Sequence, residues 1–261
     1  RILEVSNMKE NSQEKYTEII RQLVDLGAYS TNTLNKTLQL AVEGGYTDLV
    51  KFLIERGADP TNILNETIQL LSEGGHIDSV IKFLIEKGAY PTNTLNKALQ
   101  LASKGGHTDL VKFLIEKGAD VTADNNRAIV LAAEGGNKEL VELLLAYGAH
   151  VTDIESKVLL STPVKSGNIE LVKLLVVHGV LPTEETCYSL FLNAINGGYV
   201  EILKIIIRYA DEKMINDLLE IAIENKNLKI IKILLENGAD IELFKKKDMQ
   251  LVLLYDPNII L

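Results

Sequence analysis

Two glycine series with a common period of about thirty residues run through the chain, and they limit its fold more than any other feature. Gly-Ala pairs begin at Gly27, Gly57, Gly88, Gly118 and Gly148, at steps of 30, 31, 30 and 30 residues. Gly179 follows with Val180 in place of alanine, the next copy reads Tyr209-Ala210, and Gly238-Ala239 restores the pair after a gap that fits two units. The second series runs in phase as Gly44-Gly45, Gly74-Gly75, Gly105-Gly106, Gly135-Gly136, Ser166-Gly167 and Gly197-Gly198. A fixed period of this length marks a repeat architecture in which each unit is one supersecondary element.

Within a unit, Leu38 to Val42 form a short apolar helix that Gly44-Gly45 ends, because glycine accepts the left-handed conformation that closes a helix. Leu49, Val50, Leu53 and Ile54 then share one helical face and Asp48, Lys51 and Glu55 the other, until Gly57 caps the second helix. Asn35, Asn65, Asn96 and Asn126 stand just before the apolar part of each first helix and are expected to cap free N–H groups there. Helices this short are unstable alone, since nucleation is costly, so neighbouring units must cover each apolar stripe. The pattern predicts an all-α solenoid of helix-turn-helix repeats over residues 1–261. Its units are 27–56, 57–87, 88–117, 118–147, 148–178, 179–209 and 210–237, between an N-terminal partial repeat, 1–26, and a C-terminal cap, 238–261. The later units are the least regular, with Pro163 in a first helix, Leu181-Pro182 after Gly179, and Asp211 to Asn216 in place of a loop, which fits a kink, a specialised surface or drift.

Composition removes several function classes. The net charge is −9 and the acidic residues are spread along the chain, which disfavours phosphate backbones and hence a nucleic-acid partner. The one basic run, Lys245 to Lys247, reads as a solvated helix face. No stretch is long and apolar enough for a membrane span, and a lone cysteine, Cys187, fits a reducing, cytoplasmic setting. The start at Arg1 rather than a methionine suggests a piece of a longer product.

Asp124 to Ala149 resembles the ankyrin repeat family, with Leu131-Ala132-Ala133, Gly135-Gly136, Leu140-Val141 and Leu143-Leu144-Leu145 ahead of Gly148-Ala149. Against the family's repeat of about 33 residues, the units here lack residues between the Gly-Ala pair and the first helix. The resemblance therefore implies shortened or absent β-hairpin fingers. The family's Thr-Pro-Leu-His opening is also missing, and Gln39, Gln69 and Gln100 stand where its histidine would bond loop backbone. Thr31, Thr61, Thr92, Thr122, Thr152 and Thr183 occupy the family's loop asparagine, which argues against asparagine hydroxylation. In their short, Asn-rich style the repeats are similar to those of giant viruses that infect amoebae.

No chemistry is legible in the remaining motifs. His76, His107, His150 and His178 have no metal-ligand spacing, so no metal site and no cofactor is expected. His76 and His107 fall on the turn, where the resemblance implies a structural role. Cys187 lies in a first helix without an activating context, and the glycine pairs lack the Lys-Ser or Lys-Thr of a phosphate loop. No catalytic residues are assigned, and the chain is expected not to be an enzyme.

The resemblance implies a protein partner on a concave face. By position this gives Thr33, Ile63, Thr94 and Asp124 in the loops and Glu43, Glu73, Lys104, Glu134, Lys165 and Asn196 at the first-helix ends, with Tyr29 and Tyr90 as aromatic anchors. Each of these is also an ordinary solvated position in a repeat. The leading expectation is an interaction scaffold or adaptor, directed at a host protein in the host cytoplasm if its origin is viral. A second is a structural protein that self-associates through the apolar segment 251–261, and a third is the substrate-recognition module of a larger protein.

Overall fold

The structure, a computed structural model, describes residues 17–27, 30–60, 63, 67–68, 78–88, 90–150, 159–182 and 184–247. Tyr29, Glu73, His76 and the 251–261 segment lie outside these residues. The chain forms two compact units, residues 1–120 and 121–261. The first contains α1 (17–25), α2 (Thr31–Glu43), α3 (Thr47–Glu55), α4 (Asp78–Lys87), α5 (Thr92–Gly105) and α6 (Thr108–Glu116). The second contains α7 (Ala123–Glu134), α8 (Lys138–Ala146), α9 (Ser161–Ser166), α10 (Ile169–Val177), α11 (Glu184–Asn196), α12 (Val200–Ile206), α13 (Glu212–Glu224), α14 (Leu228–Glu236) and α15 (Ile241–Lys247). No strand occurs among the described residues, so the all-α repeat stands and no finger is seen there.

Contacts follow the repeat. α2 packs on α3, α5 on α6, α7 on α8, α9 on α10, α11 on α12 and α13 on α14. In the second unit the first helices stack in the order α7, α9, α11, α13, and the second helices in the order α8, α10, α12, α14. The core is the stripe expected from the spacing: Leu49, Val50 and Leu53 are buried, as are Leu110, Val111 and Leu114, and Leu140, Val141 and Leu144. Each such side chain contributes about 1.5–3 kcal/mol when taken out of water. α9 is the shortest of the first helices, and Pro163 lies within it.

Helix ends confirm the glycine reading. Gly118 closes α6 at φ 98°, which lets the Ala119 N–H return to the Leu114 carbonyl at 2.9 Å. The last turn of α13 does the same work without glycine: Lys226 stands at φ 52°, a conformation that costs an L-residue about 1–2 kcal/mol.

The asparagines behave differently from the caps expected of them. Ser30 accepts the Thr33 N–H and starts α2 at Thr31, while Pro91, extended at ψ 147°, starts α5 at Thr92. Asn35 and Asn96 therefore lie one turn inside their helices, where the first free N–H groups have been passed. Their Oδ1 atoms accept backbone N–H groups of the following loop instead, from Asp59 at 2.8 Å and Asp120 at 2.7 Å. Asn126 takes the His150 N–H at 3.1 Å, and Asn216 the Asp240 N–H at 2.7 Å. Every one of these bonds spans 24 residues. Asn216 had been read as part of a loop, but Asp211 caps α13 by accepting the Met214 N–H at 2.7 Å, and helix resumes at once. Of the glutamines expected to bond loop backbone, Gln39 is exposed and Gln69 lies outside the described residues. The asparagines that do cap are Asn137, Asn168 and Asn227, which start α8, α10 and α14.

The outer helices of the first unit carry a second ladder. Phe52 lies under Arg56 at 4.9 Å and Arg21 at 5.6 Å. Phe83 lies under Lys87 at 5.6 Å and Lys51 at 5.9 Å, and Phe113 under Lys117 at 5.2 Å and Lys82 at 5.9 Å. One cation of each pair comes from the same helix and the other from the helix before it. Each ring thus joins two outer helices.

Candidate interaction surface

The expected contact residues separate into three groups. Glu43, Lys104, Glu134, Lys165 and Asn196 are exposed in the last turns of α2, α5, α7, α9 and α11. Because α7, α9, α11 and α13 stack in order, Glu134, Lys165, Asn196 and Glu224 form a row along one edge of the second unit. Sequence reasoning missed Glu224, whose glycine pair is replaced by Asn225-Lys226. The Asn225 side-chain amide donates to Asn196 Oδ1 at 3.1 Å, a side-chain bond that links the ends of α11 and α13.

The second group was expected in loops; Thr33 and Thr94 lie in helices, while Asp124 keeps a non-helical, left-handed backbone. Thr33 is exposed in the first turn of α2, with its N–H on Ser30 Oγ at 3.3 Å, and Thr94 is half-buried at the same place in α5. The helices start directly after their capping residues, so no extended loop remains. Asp124 is exposed at the start of α7, where Asp124, Asn125 and Asn126 take φ values of 51°, 56° and 54°. Aspartate and asparagine tolerate this left-handed region better than most residues.

The third group is not offered to a partner. Ile63 is 7% exposed and belongs to the core. Tyr90 is half-buried, its hydroxyl donates to the Pro60 carbonyl at 3.3 Å, and burial, with Asp59 adding, pushes the phenol pKa up. Tyr199 is used similarly: a Cβ at Gly197 would meet its ring at 2.2 Å, so glycine is needed where the ring crosses the turn.

Charge at the helix ends is informative. Glu43, Glu134 and Glu224 sit at helix C-termini, where the backbone dipole is negative and an acid costs about 0.3–1 kcal/mol relative to a base. Lys104 and Lys165 occupy the favourable sign.

The remaining chemistry is structural. His107 sits 3.0 Å from Asp78 with its side chain 14% exposed, joining adjacent repeats. Cys187 is buried at the register of the bridging asparagines, donates to the Tyr209 carbonyl at 3.5 Å, and is kept a neutral thiol by burial and the nearby Asp211. Among the described residues no group of three or more His, Cys, Asp or Glu is placed to hold a metal ion, and no helix is long and apolar enough to cross a membrane.

Paired helices in register, bridged by Asn35, Asn96, Asn126 and Asn216 and edged by exposed charges, define a repeat-built binding module. Residues 68–155 and 160–245 match the family of ankyrin repeats in arrays of three copies, and residues 38–66 match the single ankyrin repeat. The chain belongs to the ankyrin repeat family and is a protein-interaction module. None of the curated proteins compared with it matches.

Proposed function

We propose that the chain is a non-catalytic scaffold that holds a partner protein against the exposed ends of its first helices, in a reducing, cytoplasmic setting. The observation that carries this is the row Glu134, Lys165, Asn196 and Glu224, in which acids stand at helix ends that disfavour them. Asp124 belongs to the same unit, and the corresponding positions of the first unit are Thr33, Glu43, Thr94 and Lys104. With no finger among the described residues, binding relies on helix ends and first turns rather than on reaching loops. The short, Asn-rich repeat style supports a host-directed role. Affinity capture followed by titration of the purified partner tests the reading with the exchange Glu134→Lys, Lys165→Glu. Affinity falls about tenfold or more if the row is the contact, since a like-charge clash across an interface costs over a kcal/mol. An unchanged dissociation constant overturns the assignment.

A further inference from the structure

In the first unit α3, α4 and α6 each end in an acid followed by a base, as Glu55-Arg56, Glu86-Lys87 and Glu116-Lys117, all exposed, whereas α1 ends in Asp25-Leu26. Two consecutive repeats of the second unit replace both charges, reading Ala146-Tyr147 and Val177-His178. Val177 is 82% exposed and Tyr147 45%. A β-branched apolar side chain at an exposed helix position contributes neither propensity nor burial, so the fold gives no reason for it.

Between these two helix ends lies a cleft of about 420 Å³ lined by Glu142, Leu145, Ala146, Ala149, His150 and His178. Both imidazoles are held by backbone: His178 Nδ1 is 2.9 Å from the Leu174 carbonyl and His150 Nδ1 3.3 Å from the Gly148 carbonyl. A carbonyl only accepts, so each Nδ1 carries a proton, and in the neutral imidazole the Nε2 is the acceptor. The Glu142 carboxylate is paired with Lys138 at 3.5 Å, an exposed pair too weak to resist a competing cation. The cleft thus combines an aliphatic wall with three acceptor groups and no lysine or arginine among its described lining residues.

We infer that this cleft docks a peptide segment of a partner protein carrying an aliphatic or aromatic anchor next to a lysine or arginine. The anchor packs on Leu145, Ala146 and Ala149 beneath Tyr147 and Val177, and the cation meets Glu142 and the imidazole Nε2 atoms. A basic segment also suits a chain of net charge −9. A second copy of the chain fits less well, because two acidic molecules repel and a stable dimer needs about 800 Å² from each partner, more than a few side chains supply. The inference rests on the reading of the chain as a protein-binding module but uses a different face from the first-helix row.

The test uses the full chain and short synthetic peptides with a central leucine flanked by lysines, by glutamates or by serines, and a lysine-flanked peptide with central serine, followed by fluorescence anisotropy. The lysine-flanked leucine peptide is expected to bind, and changing either its flanks or its anchor weakens binding about tenfold or more. The double substitution Tyr147→Ser, Val177→Ser and the separate Glu142→Lys each reproduce that loss, while thermal melting by circular dichroism stays within a few degrees because all three sites are exposed. The Glu134→Lys, Lys165→Glu exchange leaves peptide binding intact, so the two surfaces fail independently. No binding by any peptide, equal binding of the glutamate-flanked peptide, or undiminished binding by the cleft variants overturns the inference. So does a concentration-dependent mass that the serine variants abolish, which assigns the strip to a second copy.

Discussion

The two units share a backbone plan and hold their outer helices together by different means. In residues 1–120, Phe52, Phe83 and Phe113 each lie between a cation of their own helix and one of the helix before. In residues 121–261 the same register carries Leu143, Leu174, Ile205 and Ile233, and the cation–ring contact found among the described residues there is Arg208 over Tyr209, neighbours in sequence. A ring under two cations demands charged neighbours and leaves a charged surface. Aliphatic packing makes no such demand, although apolar side chains stand exposed in both units, Leu26 and Leu40 in the first and Tyr147, Val177 and Leu181 in the second. The helix-turn-helix plan accepts either adhesive because the inner stripe of Leu and Val, common to both units, carries most of the burial.

That contrast has measurable consequences. The inner architecture should be equally sensitive in both units: Asn96→Ala and Asn216→Ala each strand a backbone N–H, of Asp120 and Asp240, and are expected to cost about 2 kcal/mol in urea unfolding. A much smaller loss at Asn216 would mean that the second unit is held by its greasier outer face instead. Next in size, Phe83→Leu gives the first unit the second unit's residue and removes two cation–π contacts, for a loss of about 1–2 kcal/mol. Melting of the variant in low and high salt checks the origin of that loss, since a purely apolar contribution is insensitive to screening. Lys226→Gly relieves the left-handed turn after α13 and is expected to stabilise by about 0.5–1 kcal/mol, glycine's own entropy offsetting part of the gain. The smallest effect is Glu134→Lys, which places the favourable sign at the end of α7 and raises stability by a few tenths of a kcal/mol, within the range of about 0.3–1 kcal/mol for such charges. A rise in melting temperature together with weaker partner binding would show function held against stability at that position.

Particular residues mark how far the sequence was readable. Gly118, Gly148 and their counterparts were legible as helix ends because a left-handed residue is a local demand that one side chain meets best. The asparagine bridges were not. Asn35 carries the signature of a cap, and only the start of α2 at Thr31 and the arrival of Asp59 beside it show a different partner. Cys187 stands in that same register and hands its weak donor to Tyr209, a substitution that no spacing rule anticipates. At the contact surface, the exposed ends Glu43, Lys104, Glu134, Lys165 and Asn196 followed from period alone. Ile63 and Tyr90 did not: one is covered by neighbouring helices, and the hydroxyl of the other is spent on Pro60.

By itself, then, the sequence determined the repeat, the positions of its helices and turns, and the apolar stripe between them, because glycine conformation and helical periodicity act within a few residues of each other. The tertiary structure alone decided which asparagine oxygens meet which loop N–H groups, which cations cover which rings, and which apolar side chains remain uncovered at Ala146-Tyr147 and Val177-His178. Those outcomes depend on groups one repeat apart along the chain being brought within a few ångströms, and packing between neighbouring helices sets that distance.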